Sequence, residues 1–293
     1  MVSVVIPAFN ERQSLAGLLE TLALQTAVDE IVVVDDGSED GTAEVARSAG
    51  ARVIVHPYNM GNGAAVKTGI RHCRGEIIVF MDADGQHDPN WISKLLAHLD
   101  RYDMVVAARA GKDHASGFRR FGNWLLNRLA TYVTGLRIKD LTSGFRAMHA
   151  EVARTFLPLL PNGFSWPTTI TLAALRSGYS LKYLPFDAGL RSAGKSSLKP
   201  LSGAIRFFMI LLKVCTLYSP LKIFLPVSML SFLLGLVNYM YTFLTEGRFT
   251  NMSAVLLTTA VIIFMIGLVS EQVSQIGFNR QQPVEPKKPS KQS

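Results

Sequence analysis

The sequence predicts an α/β fold, a mostly parallel sheet with helices on both faces, continued by two membrane-spanning helices. Three observations carry this expectation. Through about residue 110, short apolar runs alternate with segments of helical periodicity. Acidic and amide residues collect where the apolar runs end. After Lys222 the chain turns into two long stretches without a charged residue.

Residues 2–6 read as a buried strand, and residues 11–25 as a helix with Leu15, Leu18, Leu19 and Leu22 at helical spacing. A second strand over 30–34 ends in Asp35-Asp36-Gly37-Ser38. A short helix over 42–49, a strand over 52–56 and a helix over 63–73 follow. The fourth strand, 76–81, ends in Asp82-Ala83-Asp84; a helix over 91–99 and a strand over 104–107 complete the series. In open α/β sheets ligands bind beyond the carboxyl ends of the strands. Asn10-Glu11, Asp35-Asp36 and Asp82–Asp84 all fall there, although loop tips are also polar for solvation alone.

Two basic amphipathic stretches come next. Residues 118–133 place Phe121, Trp124, Leu125, Leu129 and Tyr132 near one face among Arg119, Arg120 and Arg128; residues 198–217 are similar, with Arg206 and Lys213. Such helices beside membrane spans lie in the interfacial plane, or else face an ordinary core. The division expected is a catalytic-type domain over 1–197 with an amphipathic helix at about 116–134. A juxtamembrane helix over 198–220, a hairpin over 221–278 (spans at about 222–245 and 252–277) and a disordered polar tail over 279–293 follow it.

Residues 223–244 and 252–270 carry no charge. At about 1.5 Å rise per residue each run crosses a hydrocarbon core roughly 30 Å thick. A seven-residue connection makes them a hairpin with both ends on one side. Lys213 and Lys222 precede it, Arg280, Lys287, Lys288 and Lys291 follow it, and the connection holds only Arg248 beside Glu246. The positive-inside bias therefore places the N-terminal domain and tail in the cytoplasm. Since the first residues already read as a strand, no signal peptide is expected before them. A transporter is disfavoured, because two spans without internal charge make a poor pathway.

The net charge of +8 raises nucleic acid as a partner, but the basic residues cluster by the membrane-facing stretches and no nucleic-acid motif is present. Lipid headgroups and phosphorylated ligands account for it more simply. Cys73 and Cys215 are the only cysteines, without metal-ligand spacing, and read as packing residues in a reducing compartment.

The strongest chemical constellation is Asp82-Ala83-Asp84-Gly85-Gln86-His87 after an apolar strand. Carboxylates at i and i+2 on a strand end can share one hard cation, and Mg²⁺ or Mn²⁺ commonly divides its oxygen ligands between protein and substrate phosphates. Alone, Asp-x-Asp is an ordinary turn. The Gly61-Asn62-Gly63-Ala64-Ala65 run lacks the Walker spacing and is read as a glycine-rich entry to a helix. His56, His72, His98, His114 and His149 show no paired spacing and read as structural or exposed, whereas His87 suits support of the metal loop.

Six ordered segments, VSVVIPAFNE, IVVVDDGSEDGT, NMGNGAAVKTGI, MDADGQHDP, DLTSGFRA and RSAGKSS, span residues 2–197. Together they resemble the family 2 glycosyltransferases of the GT-A fold, and specifically the polyprenyl-phosphate hexose synthases (dolichyl- or undecaprenyl-phosphate mannosyl-, glucosyl- and aminoarabinosyl-transferases). The resemblance implies a Rossmann-like GT-A domain that transfers a sugar, with inversion, from a UDP- or GDP-sugar to a polyprenyl phosphate at the membrane. It implies that Pro7, Phe9 and Glu11 hold the nucleoside and that Asp36, with Asp35 beside it, contacts the base or ribose. Asp82, Asp84 and Gln86 then hold Mg²⁺ or Mn²⁺ and the diphosphate, with Ala83 between them. Lys67, beside the glycine run, is a further candidate for holding the nucleotide-sugar. Arg191 and Lys195 close on the donor phosphates; Arg109, Arg119, Arg120, Ser143 and Arg146 are candidates for the acceptor phosphate. Asp140 matches the position usually taken as the base. A phosphate monoester is already mostly dianionic at neutral pH, so base catalysis and positioning both stay open. Homo-oligomerisation is a further expectation of the resemblance. Two other functions stay open: transfer to a hydroxyl of another glycolipid, and a non-catalytic nucleotide-sugar-binding membrane subunit. The Gln-x-x-Arg-Trp motif of processive synthases is absent.

Overall fold

Alternation along the first strand decides how the sheet is covered. Val4 and Ile6 point to one face and Val5 to the other, all three fully buried, so both faces must carry helices. The computed structural model describes residues 1–109, 117–163, 165–186 and 219–279. Within them β1 (Val2–Ala8), β2 (Glu30–Asp35), β3 (Arg52–Val55), β4 (Ile77–Phe80), β5 (Met104–Arg109), β6 (Arg146–His149) and β7 (Leu181–Phe186) form one sheet, ordered β3-β2-β1-β4-β6-β5-β7.

One face is covered by α1 (Arg12–Ala23), α2 (Thr42–Ser48) and α4 (Ile92–Leu96), packed on Val4, Ile6, Val33, Val79 and Val105. The other is covered by α3 (Asn62–His72), α5 (Gly117–Thr134), α6 (Ala150–Thr155) and α7 (Trp166–Arg176), packed on Val5, Val34, Phe80 and Val106. The four leucines of α1 are buried as their spacing predicts. Gly69 lets α3 approach β1: a Cβ there would lie 2.3 Å from Val5 Cγ1. The helix expected over 91–99 is shorter, because Pro89 and the Asp88 cap start a 3-10 turn (Pro89–Trp91) before α4 begins.

The sheet is mixed rather than uniformly parallel. β6 runs antiparallel to both β4 and β5, while β5 and β7 are parallel. Its four residues, Arg-Ala-Met-His, contain nothing β-branched, so propensity does not mark it. Its direction has a consequence for the site. The residues that enter an antiparallel strand lie at the carboxyl ends of its parallel neighbours.

The long helices α8 (Leu221–Glu246) and α9 (Asn251–Asn279) pair as a hairpin. Both are long and apolar enough to cross a membrane, and only 11% and 17% of their most apolar stretches is buried. They approach closely where Gly235 meets Leu256 and Leu257 and where Gly267 meets Phe224. The Ser228 hydroxyl donates to Ala260 O at 2.8 Å, and Ser231 to Leu256 O at 3.0 Å. Glu271 accepts from Leu221 N at 3.2 Å, satisfying an open amide of the α8 entry. The sheet domain touches the hairpin base through Tyr132 of α5, whose hydroxyl donates to Lys222 O at 3.3 Å, and through Arg176 of α7, which donates to Ser274. On α5, Leu126 and Ala130 face the core while Trp124 and Tyr132 stay exposed, so the expected apolar face divides between core and outer surface. The expected juxtamembrane helix over 198–220 falls, through residue 218, outside the described residues; so does the tail from 280 onward.

Gly69→Ala should lower stability by about 1–3 kcal/mol, because a stiff β-branched Val5 in a closed core has nowhere to move. A thermal melt of the purified protein checks this.

Candidate active site

Strand ends β1, β2 and β4 lie side by side. Ala8 pairs with Asp35, Asp36 N donates to Ala8 O at 2.8 Å, and Met81 N donates to Val5 O at 3.2 Å. The Asn10–Glu11, Asp35–Asp36 and Asp82–Asp84 segments therefore sit along one edge. Pro7 is buried in β1, and Phe9 beyond it is 43% exposed. Asn10 takes a left-handed backbone (φ 53°), and its side chain accepts from Glu39 N at 3.0 Å. The Glu11 carboxylate accepts from Ser14 Oγ at 2.6 Å.

Asp35 Oδ1 accepts from Ser38 N at 3.0 Å, closing the turn. Asp36 is buried and faces its own fold: it accepts from His56 Nδ1 at 2.7 Å, Met60 N at 2.9 Å and Gly61 N at 2.8 Å. The N-terminus of α3 is closed by the chain itself. Ala64 N donates to Asn162 O at 3.1 Å, and a Cβ on Gly63 would strike Pro161 O at 2.1 Å. The plain reading of the glycine run as a helix entry therefore holds over a phosphate loop. Lys67 donates to Asn162 Oδ1; burial, then the nearby Arg71 charge, lowers its ammonium below the usual lysine range.

Asp82, Asp84 and Gln86 are half-buried, with Ala83 turned inside. Asp84 Oδ1 accepts from Gln86 N at 3.2 Å, which shapes the loop. His87 stacks on Phe145 at 4.9 Å, and its Nδ1 accepts from Asp82 N at 3.0 Å. Burial pushes His87 down to about 4, with Asp84 opposing and Arg109 reinforcing the shift. The imidazole is thus neutral at pH 7 and supports the acidic loop without adding a positive charge to it. Among the described residues no cluster of three or more His, Cys, Asp or Glu could hold a metal. Two oxygen ligands on one loop still fit a hard divalent cation that takes its remaining ligands from a diphosphate and water.

The DLTSGFRA segment enters β6 and so meets this loop. A Cβ on Gly144 would lie 2.7 Å from Asp82 Oδ2, so only glycine fits there without displacing the carboxylate. Ser143 Oγ donates to Ala107 O at 2.7 Å. Asp140 binds Arg109 with two prongs, accepting from Nε at 2.8 Å and Nη2 at 3.0 Å. It also accepts from Arg109 N, Thr142 N and Ser143 N at 3.1–3.2 Å. Thr142 Oγ1 completes the knot, accepting from Arg109 Nη2 at 2.6 Å. Burial alone would raise the Asp140 carboxyl, but hydrogen bonds and charge from Arg109 outweigh it and hold the group below the usual carboxylate range.

Two acceptor-phosphate candidates, Arg146 and Ser143, are buried. Arg146 is completely buried; it donates to Ser143 O, to Pro167 O at 3.1 Å and to Thr171 Oγ1 at 2.8 Å, and lies over Trp166. Burial lowers its guanidinium to about 10, so it stays charged beneath the site. Ser143 is buried with its hydroxyl committed to the backbone. Both build the floor of the site. Arg109 stands at its wall. Arg119 and Arg120 lie on α5, with side chains outside the described set, and Arg191 and Lys195 lie outside the described residues. Thr142, Gly144 and Phe145 were not singled out from the sequence, although their motif was. A glycine directly before a short strand was the available signal.

Residues 3–157 match the family described as glycosyl transferase family 2, and residues 219–276 match the GtrB C-terminal hairpin. An undecaprenyl-phosphate 4-deoxy-4-formamido-L-arabinose transferase of Pseudomonas savastanoi pv. phaseolicola is 34% identical over 206 residues, which is 63% of this chain and 61% of that protein. The chain thus spans under two thirds of that relative's length. An uncharacterised protein of Methanocaldococcus jannaschii is 34% identical over 63% of this chain and 79% of its own. Among solved structures, glucosyl-3-phosphoglycerate synthase of Mycobacterium tuberculosis with Mn²⁺ and UDP-glucose superposes with a TM-score of 0.60 at 25% identity, covering 73% of this chain and 79% of that one.

Arg109→Met should destabilise the protein by about 2–4 kcal/mol at pH 7, leaving Asp140 charged and buried. Asp140's folded pKa is lowered, so its stabilisation is complete above the unfolded value of 3.8 and is lost as pH falls through the folded one. The gap between wild type and variant should therefore narrow as melts are taken from pH 7 to below about 4.

Proposed function

The chain belongs to glycosyl transferase family 2, and from that premise we propose that it moves a sugar from a UDP- or GDP-sugar to a polyprenyl phosphate, with inversion, at the cytoplasmic face of a membrane. The observation that carries this reading is the convergence of three chain segments on one strand edge: the acidic loop 82–87, Arg109 at the end of β5, and the 140–145 approach to β6.

Asp82 and Asp84, with Gln86, would hold the divalent cation, Mg²⁺ or Mn²⁺. A bound cation supplies Lewis-acid neutralisation of the departing nucleoside diphosphate. Mn²⁺ and UDP-glucose sit together in the mycobacterial synthase of the same fold, which supports this part of the reading. Phe9, Glu11 and Asp35 line the nucleoside end, and Asp36 shapes it from below.

An oxygen of the acceptor phosphate attacks the anomeric carbon while the bond to the diphosphate breaks on the opposite side. Asp140 acts as a positioning carboxylate for Arg109. Support for this comes from its depressed proton affinity and its many donors, both unfavourable for a base. The acceptor phosphate already carries the charge that attack requires. Arg109, Arg119 and Arg120 grip that phosphate, and Arg191 and Lys195 close on the donor.

The hairpin holds this chemistry beside the lipid headgroups. In its connecting loop Arg248 is neutralised by Glu246 at 2.7 Å, leaving the positive charge at the opposite end, as a cytoplasmic domain requires. The name of the Pseudomonas relative favours an undecaprenyl-phosphate acceptor.

Purified full-length protein with Mn²⁺ or Mg²⁺, a panel of UDP- and GDP-sugars and undecaprenyl phosphate should yield a glycosyl phospholipid by mass spectrometry. Asp84→Ala should lower turnover by at least about 10³-fold. A product bearing sugar on a hydroxyl of another glycolipid, and none on the phosphate, would redirect the acceptor assignment.

A further inference from the structure

A buried Asp–His–Thr chain lies beneath the nucleoside end of the site. His56, at the exit of β3, gives its Nδ1 proton to Asp36 Oδ1 at 2.7 Å, and its Nε2 meets Thr68 Oγ1 of α3 at 2.9 Å. With the proton on Nδ1, Nε2 of the neutral ring is an acceptor and Thr68 the donor. Asp36 and His56 are 3% and 7% exposed, so the carboxylate depends on protein donors.

Its donors His56 Nδ1, Met60 N and Gly61 N all come from one segment, residues 56–61. Met60 N and Gly61 N belong to the loop that leads into α3, where Gly61 O accepts from Ala64 N at 2.8 Å, and the imidazole is bonded at both nitrogens. Thr68 sits on a helix pressed against β1 at Gly69, which supplies a rigid reference. The loop in turn lies on the Asp35–Ser38 turn: a Cβ on Gly37 would be 2.7 Å from the Tyr58 carbonyl carbon. It also presents Tyr58 and Met60, 65% and 38% exposed, at the strand edge that carries Phe9.

Apolar residues would fill this volume without the cost of desolvating a carboxylate, so the polar chain is best explained by the geometry it imposes. We propose that His56, locked by Thr68, is a positioning residue of the donor site: through Asp36 it sets the 58–61 loop that walls the nucleoside pocket. This rests on the donor reading above and adds the device that tunes nucleotide affinity. His56 touches no reacting atom, so its effect falls on binding and not on the chemical step.

Calorimetric titration of UDP and of GDP with Mn²⁺ into the detergent-solubilised full chain tests it, alongside thermal melts. His56→Ala should weaken the nucleotide that binds by about tenfold or more, and Thr68→Val by about threefold in a protein that still melts cooperatively, at a somewhat lower temperature. His56→Asn, which restores a donor to Asp36, should stay within about threefold of wild type. If His56→Ala does not fold, Thr68→Val decides the matter. An unchanged dissociation constant in folded His56→Ala, or in Thr68→Val where His56→Ala does not fold, with a wild type that binds, overturns this inference alone. A wild type that takes up neither nucleotide overturns the donor reading and this inference with it.

Discussion

The paired bonds between Asp140 and Arg109 organise the site. They tie the end of β5 to the loop that enters β6, and that loop presses glycine against Asp82. An aspartate this deeply buried tolerates its charge because it is surrounded by donors, two from a guanidinium and three from backbone amides. Loosening it would release Arg109 and the acidic loop together. In the proposed transfer this rigidity would serve orientation, holding two anionic partners in line.

Topology makes the knot possible. Parallel strands send their loops to one edge of the sheet, but they do so at intervals set by the crossover helices. The antiparallel β6 breaks that rhythm and delivers a loop from far along the chain between β4 and β5. Arg146, buried as a cation against Trp166, anchors this insertion to α7. Charge thus appears at three depths: exposed at Lys222 at the base of the hairpin, half-buried at the acidic loop, and fully buried under the floor.

Much of this was legible in the chain. The first five strands and the helices between them follow from apolar runs and periodicity, and the two spans from runs without charge. The acidic loop was visible because Asp82 and Asp84 stand at a strand end. Less visible was β6, whose Arg-Ala-Met-His sequence has no strand signature and exists as a strand only because β4 and β5 flank it. The burial of Arg146 and Ser143 was hidden for the same reason: side chains alternate across a strand and its approach, and a motif read as a line does not say which residue faces inward. His56 reads from the sequence only as structural or exposed because its partners, Asp36 and Thr68, are 20 and 12 residues away.

The central claim is that the 82–87 loop holds a cation joined directly to the donor's diphosphate. Electron–nuclear double resonance on Mn²⁺ added to the purified protein with UDP or GDP reads that contact through phosphorus. The account requires a ³¹P coupling that depends on protein, present in wild type and lost in Asp82→Asn and Asp84→Asn. A Mn²⁺ signal identical with and without protein, or one that those substitutions leave untouched, would contradict it.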